Sequence, residues 1–295
     1  MTFFLFNLLN GLQLSMLIFL MAIGLTVIFG LMDILNLAHG AFYMVGAYFG
    51  YVVFQMVGSF WVALLVAPLL PLILGFILQY FVLQPLIDRG RSAHLDMALL
   101  TFGLLFFTIG LIDLIFFEML GLTFMSIDKP AGLESYVDIG TFYPAYRLFI
   151  IAIGLLVALV VWLLLERTVI GAVVRAGVDD REMVRAMGVN VYAVFASVFA
   201  LGCGLAGLAG VVAGAELSIN IDMGVQILIP TLVVVVLGGL GSVKGCFIGS
   251  LIVGMAETMS QAYVPVLALF ATYMLLAIML IFRPQGFFGR TPKTV

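Results

Sequence analysis

Leu148-Phe-Ile-Ile-Ala-Ile-Gly-Leu-Leu-Val-Ala-Leu-Val-Val-Trp-Leu-Leu-Leu165 runs for eighteen residues without a charge. As a helix it would be about 27 Å long, close to the roughly 30 Å of a bilayer's hydrocarbon. A transmembrane β-strand would instead show some ten residues of alternating polarity, which this stretch lacks. Ten residues further on the character reverses in Arg175-Ala-Gly-Val-Asp-Asp-Arg-Glu-Met-Val-Arg-Ala-Met-Gly188. Moving so many ionised groups into hydrocarbon would cost several kcal/mol each, so this island is expected in water between two spans. It is a place where another protein can push.

The whole chain has the same character. Of its 295 residues 65% are hydrophobic and only 9% charged, and the mean hydropathy of +1.31 lies far outside the soluble globular range. The expected class is an all-α polytopic membrane protein. A formal net charge of −3 and the lack of a basic stripe exclude a nucleic-acid partner, which would need cations against phosphate. The amino terminus lacks the basic start of a cleaved signal, and its apolar run continues from Leu12 to Met32, so a retained first span is expected. Cys203 and Cys246 lie in apolar stretches beside small residues and read as packed thiols, not as a disulfide or metal site.

Windows of about 19 residues place candidate spans at 11–31, 38–56, 60–83, 95–117, 147–165, 191–214, 226–241, 243–262 and 265–282. The seventh is short and contains Pro230 and the cluster Gly238-Gly-Leu-Gly241, so it is either a full span or a broken, re-entrant element, and the count is eight or nine. With the island inside, Arg89, Arg91, Arg167, Arg175, Arg181, Arg185, Lys244, Arg283, Arg290 and Lys293 all fall on the cytoplasmic side, against Lys129 and Arg147 outside. Basic residues translocate poorly, so the amino terminus is expected outside and the carboxyl terminus inside. Residues 118–146 then form the largest external loop, acidic through Glu118, Asp128, Glu134 and Asp138. It reads equally as a solvated connection and as a meeting point for an external partner.

A faint internal echo adds a second level of organisation. Ala22-Ile-Gly-Leu-Thr-Val-Ile-Phe-Gly30, followed by Asp33 and Leu35-Asn-Leu-Ala-His-Gly40, resembles Ala200-Leu-Gly-Cys-Gly-Leu-Ala-Gly207, followed by Glu216 and Ile219-Asn-Ile-Asp-Met-Gly224. Each copy takes a Gly-rich span into an acidic residue, a flanked Asn and a Gly that opens the next span. Repeat halves at 10–117 and 191–283 within a single domain of 1–295 would carry four helices each. The fifth span would invert one half against the other, an arrangement that places a binding site at their interface.

Within the island, Asp179 reads as an N-cap, with Glu182 completing a capping box, Asp180 adding charge at the helix start and Gly188 ending it. The two-turn helix would carry Arg181 and Arg185 on one face and Met183 and Met187 on another. That pattern fits a helix received in a partner's groove and, equally, an amphipathic connector on the membrane surface. Gly238 to Gly245 lacks the Gly-Lys-Ser/Thr ending of a phosphate loop, so its glycines read as close helix contacts or a helix break. Asp113 and Glu257 fall inside spans, where ionisable groups are costly. An ion-coupled secondary transporter would use these two with His39; an intramembrane enzyme would need a catalytic pairing that does not stand out, so catalytic residues are expected to be none.

Arg175 to Asn190 resembles the cytoplasmic coupling loop of permeases of the branched-chain amino acid ABC importer family, LivH type. Asn36-Leu-Ala-His-Gly40, Val236-Leu-Gly-Gly-Leu-Gly-Ser-Val-Lys-Gly245 and Phe282-Arg-Pro-Gln-Gly-Phe-Phe-Gly289 are similar to that family too, in family order. The resemblance implies a multi-pass permease of a bacterial or archaeal cytoplasmic (inner) membrane, itself no enzyme. It implies a second, related permease, two ABC ATPase subunits that bind ATP and Mg, and an extracytoplasmic substrate-binding protein. No cofactor or metal is expected in this chain. Asp179, Asp180, Arg181, Glu182, Met183, Arg185, Met187 and Gly188 would then couple to the ATPases. An amino acid, branched-chain or otherwise hydrophobic, would pass near Asn36, His39, Gly40, Glu216, Asn220, Asp222, Gly224 and Glu257, although Asn36 and His39 also suit helix caps or interhelical bonds. Urea or a short amide is the alternative substrate within the same family.

Overall fold

The structure, a computed structural model, describes residues 2–32, 36–87, 93–138, 140, 142–283 and 285–288, the side chains of Leu31, Ala93, His94, Asp179, Arg181 and Leu269 aside. Asp33, Leu35, Arg89, Arg91, Gly289, Arg290 and Lys293 therefore lie outside the described residues.

Each apolar window folds as helix. Helix α1 (Thr2–Met32) is 31 residues long and starts well before its window, because its first turns are apolar too. Then follow α2 (His39–Val57) and a bent span made of α3 (Phe60–Val66), α4 (Leu69–Ile77), a π-helical stretch at Leu78–Leu83 and α5 (Gln84–Ile87). The bend falls at Pro68, which has no backbone N–H to donate. Helix α6 (Ala93–Ile112) continues as a π-helical stretch to Met119, and α7 (Ala145–Arg167) contains the eighteen-residue run. After the island come α10 (Val191–Gly214), α11 (Met223–Gly238), α12 (Val243–Tyr263) and α13 (Pro265–Phe282). Among the described residues six stretches are long and apolar enough to cross a membrane, the last being Val191–Gly214. The seventh window is a 16-residue helix that passes through Pro230 unbroken and stops at Gly238.

Helices α1 and α10 form the centre, with Met16, Phe19, Leu20 and Met21 of α1 and Cys203, Ala206 and Ala209 of α10 at 0% exposure. Hydroxyls in this dry interior bond within their own helix, Thr26 Oγ1 to the Ala22 carbonyl at 2.7 Å and Ser15 Oγ to Gly11 at 2.6 Å. The rim is apolar and uncovered, as Phe106 and Phe107 of α6 and Phe270 and Phe282 of α13 illustrate. An apolar surface of this extent requires lipid or a partner's helices around it.

Two reciprocal glycine contacts organise the interior. A Cβ on Gly202 would stand 2.9 Å from the Gly24 carbonyl oxygen, and one on Gly24 would collide with that of Gly202, so α1 and α10 touch backbone to backbone. The starts of α2 and α11 meet in the same way: a Cβ on Gly224 would be 2.8 Å from the Gly40 oxygen, and one on Gly40 would strike Gly224. Gly24 lies about 12 Å before the end of α1, and Gly202 near the middle of α10. His39 reaches this level, its Nε2 being 3.0 Å from the Met21 carbonyl. Helices α2 and α11 thus begin inside the bundle.

The loop of 118–146 is more structured than a solvated connection. Met125 and Ile219 exchange backbone hydrogen bonds of 3.1 and 2.7 Å, and Ile127 N–H donates to Gly214. Its short hairpin, β1 (Tyr136–Asp138) against β2 (Phe142–Pro144), leads directly into α7.

Candidate functional site

At the opposite end of the bundle from that loop, the island is preceded by a helix that sequence analysis did not anticipate. Residues 169–179 form α8 (Val169–Asp179), started by Thr168, whose Oγ1 accepts the Gly171 N–H at 3.1 Å. Asp180, not Asp179, caps the next helix, α9 (Arg181–Ala186): its Oδ1 accepts the Met183 N–H at 2.9 Å. The cap position then lies two residues from Glu182, and the expected capping box does not form, because that motif needs three. Gly188 does end the helix, at a φ of +83° that a side chain would resist.

Helix α9 is held by one apolar foot and otherwise faces out. Val184 is buried, whereas Glu182, Met183, Arg185 and Met187 are exposed. Arg185 lies over the Tyr192 ring at 4.7 Å. Beneath α9, α8 packs on α1, α7 and α10. Arg175 of α8 donates to the Leu165 carbonyl at the end of α7 and lies 3.9 Å from Glu166. A cavity of about 300 Å³ separates α8 from the turn at Leu240–Lys244. The segment after α13 closes this end: Phe287 and Phe288 N–H groups donate to the Leu237 and Gly238 carbonyls at 2.9 and 3.1 Å, satisfying groups that the end of α11 leaves open.

The residues expected along a pathway fall into three groups. Asn36, His39, Gly40 and Gly224 come together where α2 and α11 begin. Asn36 and His39 are fully buried there, and both polar atoms of the Asn36 amide and Nδ1 of His39 have no partner among the described residues. Asn220 forms a local turn, its Oδ1 accepting the Asp222 N–H at 3.1 Å, and Asp222 is exposed at the start of α11. Glu216 and Glu257 are engaged elsewhere. Glu216, its side chain 7% exposed, accepts Lys129 Nζ at 2.9 Å and Arg147 Nε at 2.7 Å, while Arg147 also donates to Asn10 Oδ1 at 2.8 Å. Glu257 accepts a weak 3.4 Å bond from Thr272 of α13. Asp113 is half-buried at the start of its π-helical stretch. Among the described residues no three of His, Cys, Asp and Glu converge as metal ligands.

Sequence reasoning missed α8, whose signals are the Thr168 cap and the spacing of Val174 and Val178. It also missed the cluster around Glu216, whose bonded pairs are up to 137 positions apart.

A helical bundle with an apolar rim, two helices that begin within it and an exposed charged helix at one end defines a polytopic membrane protein of the permease class. The chain belongs to the family described as branched-chain amino acid transport system / permease component, whose profile matches residues 7–283. It is 28% identical to the high-affinity branched-chain amino acid transport system permease protein BraD of Pseudomonas aeruginosa, over 96% of this chain and 95% of that one. Identity is also 28% to the corresponding LivH of Escherichia coli K12, covering 98% and 96%. A probable LivH of Methanocaldococcus jannaschii is 29% identical over 84% and 78%. No solved structure gives a significant match.

Proposed function

We propose that this chain is a permease subunit of an ATP-driven importer that carries branched-chain or other hydrophobic amino acids across the cytoplasmic membrane of a bacterium or archaeon. The exposed α9, standing on α8 and presenting Met183 and Met187 to water, is the observation that carries the reading. A helix so placed suits a groove in an ATPase, methionine being an adaptable apolar contact. In this reading Asp180, Arg181, Glu182 and Arg185 set the charge of that contact, with Asp179 and Gly188 at its edges. Two ATPase subunits hold the ATP and Mg, a second related permease covers part of the apolar rim, and an extracytoplasmic binding protein delivers the substrate.

Motion passes from α9 through α8 to α1 and α10. Their Gly24–Gly202 contact is the level at which α2 and α11 begin, so a shift of one helix is felt at both starts. The contacts Gly24–Gly202 and Gly40–Gly224 join the positions that the sequence echo pairs, as a two-fold relation between halves would place them. This supports reading residues 10–117 and 191–283 as inverted halves around a central site. The two helix starts bring positive dipole ends together and favour a passing carboxylate. The same assignment puts the island inside and the loop of 118–146 outside. It is supported by Arg167, Arg175, Arg185, Lys244 and Arg283 at one end against Lys129 and Arg147 at the other.

The test is uptake by the complete transporter in proteoliposomes. Leucine accumulation that needs ATP and the cognate ATPases, and that ignores proton and sodium gradients, is expected. Accumulation by this chain alone on an ion gradient would instead establish the secondary-transporter reading.

A further inference from the structure

At the outer end, a cavity of about 410 Å³ opens between α1, α12 and the Glu216 cluster. We propose that it is a receiving site for a free α-amino acid with a short aliphatic side chain, an inference that rests on the outward orientation and transport function given above. Gln13 and Thr258 line it. Each is only 8% exposed, and neither has a hydrogen-bond partner among the described residues. Their polar atoms open onto the cavity and are available to bond a polar occupant.

The chemistry around them is that of a zwitterion. The Gln13 amide offers two donors and an acceptor, and the Thr258 hydroxyl offers both roles. Arg147 has engaged Nε with Glu216 and Nη1 with Asn10, which leaves further guanidinium donors for a carboxylate. Among the described residues each Glu216 oxygen accepts a single bond, so the pair retains acceptor capacity for an ammonium.

The remaining walls select the rest of the ligand. Asn10, Gln13, Leu14 and Leu17 are spaced i, i+3, i+4 and i+7 and form one face of α1, polar toward its start and apolar further in. Ala262 of α12 and Leu217 add to the apolar part. A head group on the amides with an aliphatic chain on the leucines uses both parts; urea would leave the leucines unused. The volume lies within the range of about 300–1,000 Å³ usual for small-molecule sites.

The experiment uses the complete transporter in lipid nanodiscs, without binding protein, titrated with radiolabelled L-leucine. Saturable binding is expected, with leucinamide and 4-methylpentanoate, which lack the carboxylate and the ammonium respectively, competing about ten-fold more weakly. Gln13→Leu and Thr258→Val should each weaken binding about ten-fold. Because either variant can fail to assemble, a second readout keeps both side chains: Ala262→Cys should react with a maleimide more slowly when leucine is present. No saturable binding to the unaltered transporter overturns the site. If ATP-driven uptake through the binding protein then persists, the transport function stands without it; if uptake fails too, that function falls separately. Protection of Ala262→Cys by urea and not by leucine, or binding indifferent to both substitutions, also overturns it.

Discussion

Asn36 is a fully buried amide with neither its oxygen nor its nitrogen bonded among the described residues. A group of that kind is tolerated where it finds partners in another conformation, and it lies where α2 begins. Asn36→Leu is therefore expected to raise the thermal midpoint of the detergent-solubilised chain while lowering uptake by about ten-fold or more; equal uptake would remove Asn36 from the transport cycle. Gly40 and Gly224 have no room for a side chain, so Gly40→Leu or Gly224→Leu should abolish uptake while the ATPases still co-purify. Unimpaired uptake by either variant would show that these helix starts do not shape the pathway. Glu216 has a different task, since it ties α1, the loop of 118–146 and α7 to the end of α10. Glu216→Ala leaves two cations without their shared partner and should cost about 2–4 kcal/mol, read as a lower midpoint in a thermal melt.

Among the elements, the α8–α9 pair joins an exposed surface to the buried centre. Val184 and Val174 seat it, and the Asp180 cap holds the first turn of α9. Replacing Asp180, Arg181 and Glu182 together by alanine removes the cap, worth about 1 kcal/mol, and most of the local charge. The chain should still insert, yet ATP hydrolysis should no longer drive uptake, with the ratio of substrate moved to ATP consumed falling about ten-fold or more. A normal ratio would mean that the ATPases push elsewhere. Element boundaries were legible where chemistry is local: nine apolar windows became helices, and Gly188 stopped α9 as expected. The cap moved from Asp179 to Asp180 because α8 continues to 179, and that helix owes its formation to packing of Val174 and its neighbours on α1 and α10.

The molecule as a whole has one water-exposed charged end, one end tied down by the Lys129–Glu216–Arg147 cluster and an apolar belt between them. A cysteine at Met187 should react with a membrane-impermeant maleimide only after cells are opened, and one at Tyr136 in intact cells. Reaction of Met187→Cys in intact cells would place α9 out of reach of any cytoplasmic ATPase and end the coupling proposal.

Composition and runs of apolar residues were enough to establish a multi-pass helical protein, its approximate spans and its charged island, because insertion into hydrocarbon is a property of each segment taken alone. The glycines that touch across α1 and α10, the burial of Asn36 and His39 and the capture of Glu216 by two cations depend on which helices become neighbours. Such contacts between residues on different elements are fixed by packing and interhelical hydrogen bonding, and only the assembled bundle brings those groups within reach of one another.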